Sequence, residues 1–273
     1  MAGSSAVAGN SAANGQDEKL VGTQAIRRAC AVLALFRDAR SELGIAQVAV
    51  GLGLRHSTVH RIVRALVAEG YLAQNAETDR YYLSRSAVLL GMAAQRDLGL
   101  SAVMPILERI GAHTSESINL GVRDGTHALV VLRVQSPMPL RFDQPPGTRV
   151  PLHASAMGKS MLAFGGPEAA AYTQEIGGKL MRYTPTTIAS LRALRKELAE
   201  IRTRGYSIDR EESIAGVSCV GAPILGPEGT AQAAMAIQAP TVRMPDSRIG
   251  DLAEQVVTAA KEVAEILPVS HPF

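Results

Sequence analysis

From residue 43 to residue 68 the chain carries three arginines and two histidines but no carboxylate, so the surface that bears them has nothing local to neutralise it. The stretch GLRHSTVHRIVRALVAEGYL, residues 53–72, sorts those charges by position. At helical spacing Val59, Ile62, Val63 and Leu66 fall at i, i+3, i+4 and i+7, while Ser57, His60, Arg61 and Arg64 repeat the pattern two residues out of phase. One face suits a core. The other suits phosphates and base edges, because a guanidinium can grip guanine O6 and N7 together and a hydroxyl can bond to phosphate or base. Charged helical faces are more often simply solvated, but here the missing acids favour nucleic acid.

Other reactive side chains lie further on. MGKS, residues 157–160, resembles the end of a phosphate loop, but the loop needs glycine where His153 stands. Ser155 and Lys159 are one residue too far apart for a Ser-x-x-Lys nucleophile. His153, Asp209, Glu212 and Cys219 have no recognised metal-ligand spacing. On these residues alone a metal-dependent or cysteine-based small-molecule enzyme stays open as the alternative. Packing accounts equally for Cys219 in the apolar run VSCVGAPI, and turn capping for Asp209, Glu211 and Glu212. HASAMGKS offers a different chemistry: Ala154, Ser155, Ala156 and Gly158 are small and sit where a helix begins, so an anion can approach backbone N–H groups there.

The elements that must position these residues follow from periodicity. Ala25, Ile26, Ala29, Val32, Leu33 and Phe36 predict a first helix over 23–37 with Thr23 as its cap. A second, 45 to about 50, leads through Gly51 and Gly53 as a tight turn into the third, which starts near Ser57. Two short strands around 76–79 complete a winged helix-turn-helix. A linker helix is expected from 86 to about 100, a candidate dimer seam, and another helix from about 103 to 114. Strands are expected at 117–122, 127–135, 206–208, 217–224 and 230–238. Helices are expected at SAMGKSMLAF, 191–204 and 246–266. The class is α+β, with a single sensor-like domain over roughly 85–268.

The net charge of +3 is unevenly distributed. Residues 21–83 hold eight Lys+Arg against five Asp+Glu, and residues 84–273 hold nineteen against eighteen. A basic module joined to a near-neutral one fits DNA binding by the first. Cys30 and Cys219 form no C-x-x-C, which points to a reduced cytoplasm and no structural zinc. Residues 1–20 lack large apolar side chains and read as a disordered tail rather than a signal peptide, and no run is long and apolar enough to span a bilayer.

Three segments in order, GLRHSTVHRIVRALVAEGYL, PLHASAMGKSMLAF and RGYSIDREESIAGVSCVGAPI, resemble the IclR family of bacterial transcription regulators across nearly everything after residue 20. The resemblance implies a winged helix-turn-helix domain at 21–84, a linker helix at 85–100 and a profilin- or GAF-like effector-binding domain with a six-stranded antiparallel sheet at 101–268. It implies a protein that binds double-stranded operator DNA, dimerises through its DNA-binding half, often pairs into tetramers, and answers to a small organic or aromatic acid without a cofactor or catalytic residues. The residues near the start of the third helix then read DNA: Arg55, His56, Ser57, Thr58, His60 and Arg61, with Arg64 on the same face. Arg80 at the hairpin and Arg27 and Arg28 on the first helix approach the backbone. Many relatives carry Pro-Lys where this chain has Arg55-His56. By the same resemblance the effector sits against Ala156 and Met157, with Asp209 and Cys219 opposite and Phe142, Val150 and Val217 as apolar wall. Ala236 and Gln238 stand where relatives often have serines, so an acid larger than glyoxylate, or an aromatic one, fits at least as well.

Overall fold

The computed structural model describes residues 23–39 and 41–267, and the tail expected over 1–20 lies outside them. The chain divides into two compact units, one ending at Ala93 and the other beginning at Ala94.

In the first unit α1 (Gln24–Asp38), α2 (Ile45–Leu52) and α3 (His56–Ala68) precede a hairpin of β1 (Leu72–Gln74) and β2 (Tyr81–Leu83). Val32 and Phe36 of α1, Val48 of α2, and Val59, Val63 and Leu66 of α3 close on one another with Leu72 and Tyr81. Each such side chain stabilises by roughly 1.5–3 kcal/mol through burial. Gly53, at φ 62°, ends α2 in a left-handed turn that most side chains resist. Gly51, expected in the same turn, lies instead in the last turn of α2, where a Cβ would stand 3.2 Å from Leu35; its use is helix packing. Thr23 does occupy the N-cap of α1, but with helix-like dihedrals and no capping bond from its side chain. Leu43 pairs with Tyr81 in both directions, at 3.0 and 2.9 Å, adding a third short rung to the wing. Glu42 pins the hairpin loop by accepting from Asn75 (2.8 Å) and Thr78 (2.7 Å), bonds that hold its carboxyl below the usual range. The next helix, α4 (Arg85–Asp97), buries none of its residues in this chain and leaves Val88, Leu89, Leu90 and Met92 about 60 % exposed. Gly99, at φ 68°, separates it from α5 (Leu100–Thr114), so the helical run expected to about residue 100 stops three residues early.

The second unit is built on a six-stranded antiparallel sheet in the order β5-β4-β3-β8-β7-β6. Its strands are β3 (Ser117–Asp124), β4 (His127–Val134), β5 (Arg149–Pro151), β6 (Ser207–Arg210), β7 (Val217–Leu225) and β8 (Ala231–Pro240). Alternation along each strand sends side chains to two separate cores. Ile118, Leu120, Val220, Ala222, Met235 and Ile237 pack against α5 (Leu100–Thr114) and α9 (Asp246–Ile266). Val217, Cys219, Ala234 and Ala236 face α6 (Ala156–Phe164), α7 (Gly166–Glu175) and α8 (Leu191–Arg204) on the other side. β5 and α7 escape periodicity. The first is three residues ending in proline, and the second, GPEAAAYTQE, has a single large apolar side chain in Tyr172.

What positions the start of α6 is glycine. A Cβ on Gly221 would stand 3.0 Å from the Ala156 carbonyl carbon and one on Gly121 3.1 Å from the Met157 sulfur, so the helix lies directly on β3 and β7. At Gly158 a Cβ would fall 2.3 Å from the Leu152 Cα and 2.4 Å from its oxygen, backbone atoms that no rotamer change can move. Gly158→Ala is therefore expected to cost about 3 kcal/mol, at the upper end for overpacking, measured as a lowered urea midpoint of the full chain. A midpoint within experimental error of the parent would show that the turn before α6 yields easily.

Candidate functional site

The structure places the sequence-predicted cationic residues of α3 on one solvent face. Arg55, His56, Ser57, His60, Arg61 and Arg64 are exposed and Thr58 is half-buried, while Val59 and Val63 on the opposite side are fully buried. Among the described residues none of Arg55, Arg61 and Arg64 forms an ion pair or hydrogen bond with the protein, and the same holds for Arg27 and Arg28 on α1. The N–H groups of His56 and Ser57 also lack an acceptor, since the first bonds of α3 are Thr58 and Val59 to the Arg55 carbonyl. With no acid in the first turn, the positive end of the helix points outward beside three free guanidiniums. Arg80 differs. Its guanidinium donates to the Glu42 carbonyl at 3.3 Å, so it is held on the wing rather than free.

In the second unit the start of α6 and the facing strands enclose a small cavity of about 20 Å³, lined by Asn119, Gln144, Val150, Ser155, Ala156, Met157, Asp209, Ser213, Ile214, Val217, Cys219, Ala236 and Gln238. That is room for a single water-sized group. Sheet register explains the convergence: Asp209 pairs with Cys219, Cys219 with Gln238, and Gln238 with Ser117, one row across four strands. Neighbouring rungs are ~4.8 Å apart, so Asp209 and Gln238 stand roughly 10 Å apart with Cys219 between them.

Each end of the row has its own electrostatics. Ser155 caps α6 by accepting from the Gly158 N–H at 3.1 Å, which leaves the N–H groups of Ala156 and Met157 at the cavity wall without an acceptor among the described residues. Asp209, 3 % exposed, accepts the N–H of Glu212 at 2.7 Å. Burial and then the neighbouring Glu212 push its carboxyl up to about 7. Burial, with the Asp209 charge adding to it, also raises the Cys219 thiol well above its ordinary value, so it carries no thiolate for nucleophilic work. At the far end Gln238 donates to Gln144 on the Pro-rich loop and accepts from Arg133 at 3.2 Å. The Arg133 guanidinium also binds Asn119, Ser117 and the carbonyls of Phe142 and Gln144, and desolvation holds its pKa below the ordinary value.

Residues 25–76 match the IclR helix-turn-helix domain, and residues 92–265 match the bacterial transcriptional regulator IclR C-terminal family. The chain belongs to the IclR family of transcriptional regulators. It is 34% identical over 245 residues to the HTH-type transcriptional regulator BhcR of Paracoccus denitrificans, covering 89% of this chain and 87% of that protein. To the HTH-type transcriptional regulator XynR of Escherichia coli it is 30% identical, covering 89% of this chain and 97% of that one. An IclR homologue from Microbacterium hydrocarbonoxydans, crystallised in complex with 4-hydroxybenzoate, shares the fold at TM-score 0.75 and 23% identity, covering 88% of this chain and 99% of that one.

In this IclR regulator, eight of the nine residues named for the effector line the cavity: Val150, Ala156, Met157, Asp209, Val217, Cys219, Ala236 and Gln238. Phe142, the ninth, does not line it. It is half-buried against the α6-side core, and its carbonyl accepts from Arg133. Of the four residues of the metal alternative, Asp209, Glu212 and Cys219 are neighbours and His153 stands apart, and among the described residues no group of three or more His, Cys, Asp or Glu side chains is placed to hold an ion. His153 is instead held between the Tyr172 hydroxyl and the Met181 carbonyl, both at 2.8 Å, and burial keeps its pKa low. No helix among the described residues is long and apolar enough to cross a membrane.

Sequence reasoning missed Asn119, Gln144, Arg133 and Lys159. Asn119 and Arg133 carried a usable signal as polar residues inside otherwise apolar strands. Gln144 carried none, since only the folded Pro-rich loop brings it to the sheet.

Proposed function

We propose that this regulator binds double-stranded operator DNA through α3, with Arg55, His56, Ser57, Thr58, His60, Arg61 and Arg64 entering the major groove and Arg27, Arg28 and Arg80 contacting the backbone. The observation that carries the reading is the row of guanidiniums on α3 left without an acid among the described residues, which is the state a phosphate-binding surface requires. The exposed apolar residues of α4 support assembly as a homodimer, with a homotetramer as the larger form, because an apolar patch of that size is rarely left to water. A cytoplasmic setting goes with DNA binding.

Control comes from a small organic or aromatic acid in the α6 cavity, which has to widen from the volume of one water to admit it. The free N–H groups at the start of α6 and the 4-hydroxybenzoate of the Microbacterium neighbour support an acid of that class. Its arrival changes the spacing of recognition helices in the assembly, and by linkage operator DNA alters effector affinity by the same factor.

Arg61→Ala is expected to weaken operator binding by about 1–3 kcal/mol, roughly 5- to 150-fold, with thermal stability unchanged. Mobility shift with the DNA upstream of the gene, at fixed salt, measures it. Affinity equal to the parent would take Arg61 off the interface.

A further inference from the structure

Five ionisable side chains meet beneath the start of α6. Lys159, 1 % exposed, pairs with Glu212, donates to the Ile208 carbonyl at 2.5 Å and lies 3.6 Å from Glu197. Glu197 is held in turn by Arg204 at 2.8 Å. Three carboxyl groups, Asp209, Glu212 and Glu197, thus share two cations, and both cations are committed to the two glutamates. Asp209 is the one with no cation partner and the one that lines the cavity. Lys159 on α6 acts on Asp209 through space and lowers its pKa, as do the N–H groups of Glu212 and Ser213, but burial and the Glu212 charge outweigh them and the ion pair of Lys159 is with Glu212. Cys219 on β7 is a buried thiol and Gln238 on β8 is neutral. Arg133 on β4 is engaged by Asn119, Gln144, Gln238, Ser117 and Phe142. Glu211 accepts the Gly216 N–H at 2.7 Å at the surface. Across the cavity stand the unsatisfied N–H groups of Ala156 and Met157, which repel a cation and attract an anion.

We infer that an effector carboxylate enters this cavity together with one proton from solvent, which resides on Asp209 and is donated to the bound acid as an O–H···O hydrogen bond. The inference rests on the effector reading of the cavity and adds the chemistry of its occupant and a pH control. Two carboxylates facing each other across so small and buried a cavity do not both stay ionised. With the proton on Asp209, the effector keeps its charge, one oxygen facing the α6 N–H groups and the other the Asp209 hydroxyl. An amine would meet the positive end of the helix and is excluded. The carboxyl of Asp209, already raised to about 7 by burial and then by Glu212, has the acidity this step needs. Below about pH 7 the competent, protonated form predominates and affinity is flat. Above it, each pH unit removes about tenfold of that form, so the dissociation constant climbs until the raised pKa of the complex is reached.

Calorimetry on the full-length protein tests this, with glyoxylate, benzoate and 4-hydroxybenzoate as probes and 4-hydroxybenzamide as the neutral control, from about pH 6 to 9 in two buffers of different ionisation enthalpy. The expected result is binding of an acid but not of the amide, an uptake approaching one proton at about pH 8.5, and a dissociation constant rising close to tenfold per unit above about pH 7.5. Asp209→Asn, which retains a donor but no titratable proton, is expected to flatten that slope. Acid binding without proton uptake, an Asp209→Asn variant that keeps the parent slope, or no binding by any of the three acids overturns the inference. Carboxyl-carbon resonances of the ligand-free protein give an independent check: titration of Asp209 near the ordinary aspartate value, about 4, also overturns it. Operator binding by the same preparations separates the two levels. If it persists while proton uptake is absent, only this inference falls; if it is absent while uptake is seen, only the DNA reading falls.

Discussion

Lys159→Met is expected to destabilise the C-terminal unit by about 3–5 kcal/mol at neutral pH, the range for removing one partner from a buried ion pair. Lys159 is 1 % exposed, and its ammonium is the countercharge for Glu212, 6 % exposed, binding Oε1 while Oε2 has no hydrogen-bond partner among the described residues. Without it Glu212 must either carry a buried charge or take up a proton. Burial already raises the Glu212 pKa in the parent protein, and Lys159 is the main influence opposing that rise. Removing the lysine therefore raises it further. An acid with a raised folded-state pKa loses stability as pH climbs from its unfolded value, about 4.3, towards the folded one. The deficit of the variant should accordingly be small in acid and full at neutral pH. Urea unfolding of the full chain at several pH values measures it, and the double variant Lys159→Met, Glu212→Leu should recover most of the loss because no unpaired charge remains. A double variant no more stable than the single one would mean that Lys159 acts through packing of its stem.

Asp209→Asn is expected to act in the opposite direction, raising stability at pH 8 by up to roughly 4 kcal/mol and leaving it nearly unchanged below about pH 4. The aspartate rises from an ordinary value of 3.8 to about 7 on folding. Between those values the unfolded chain has released its proton while the folded protein retains it, so parent stability declines through that window and is lowest above it. Asparagine has no proton to lose and can still accept the Glu212 N–H. Denaturation midpoints of the two proteins at pH 4 and pH 8 decide the matter. A variant less stable than the parent at pH 8 would show that the N–H bonds to an ionised Asp209 outweigh its desolvation. A residue that weakens its own fold at working pH is expected at a binding site rather than in a core, because the cost is recovered only when a ligand supplies the missing partner.

Helix α3 was legible from end to end because an amphipathic helix is a local object. Its core face, Val59, Val63 and Leu66, and its solvent face, Arg61 and Arg64, are separated by 3.6-residue periodicity alone, and the absence of acids from 43 to 68 is a matter of composition. Strands β3, β4, β7 and β8 were placed within two residues at either end for the same reason, and α9 at both of its ends. The residues that line the α6 cavity were named only through family resemblance. Asp209, Cys219 and Gln238 are ten and nineteen residues apart in the chain, and nothing in their spacing says that they form one row.

Sequence alone determined that one helix presents a bare cationic face, that a basic module precedes an α+β partner, and that small residues gather where α6 begins. These properties depend on contacts within a few turns of chain. Tertiary structure alone decided which carboxyl goes without a cation. Lys159, Glu197, Arg204, Asp209 and Glu212 come from two helices, a strand and a turn, and their pairing is set by how closely Gly121, Gly158 and Gly221 let α6 settle on the sheet. Desolvation and ion pairing are three-dimensional quantities that depend on what surrounds a group once water has been displaced, and a linear order of residues does not contain them.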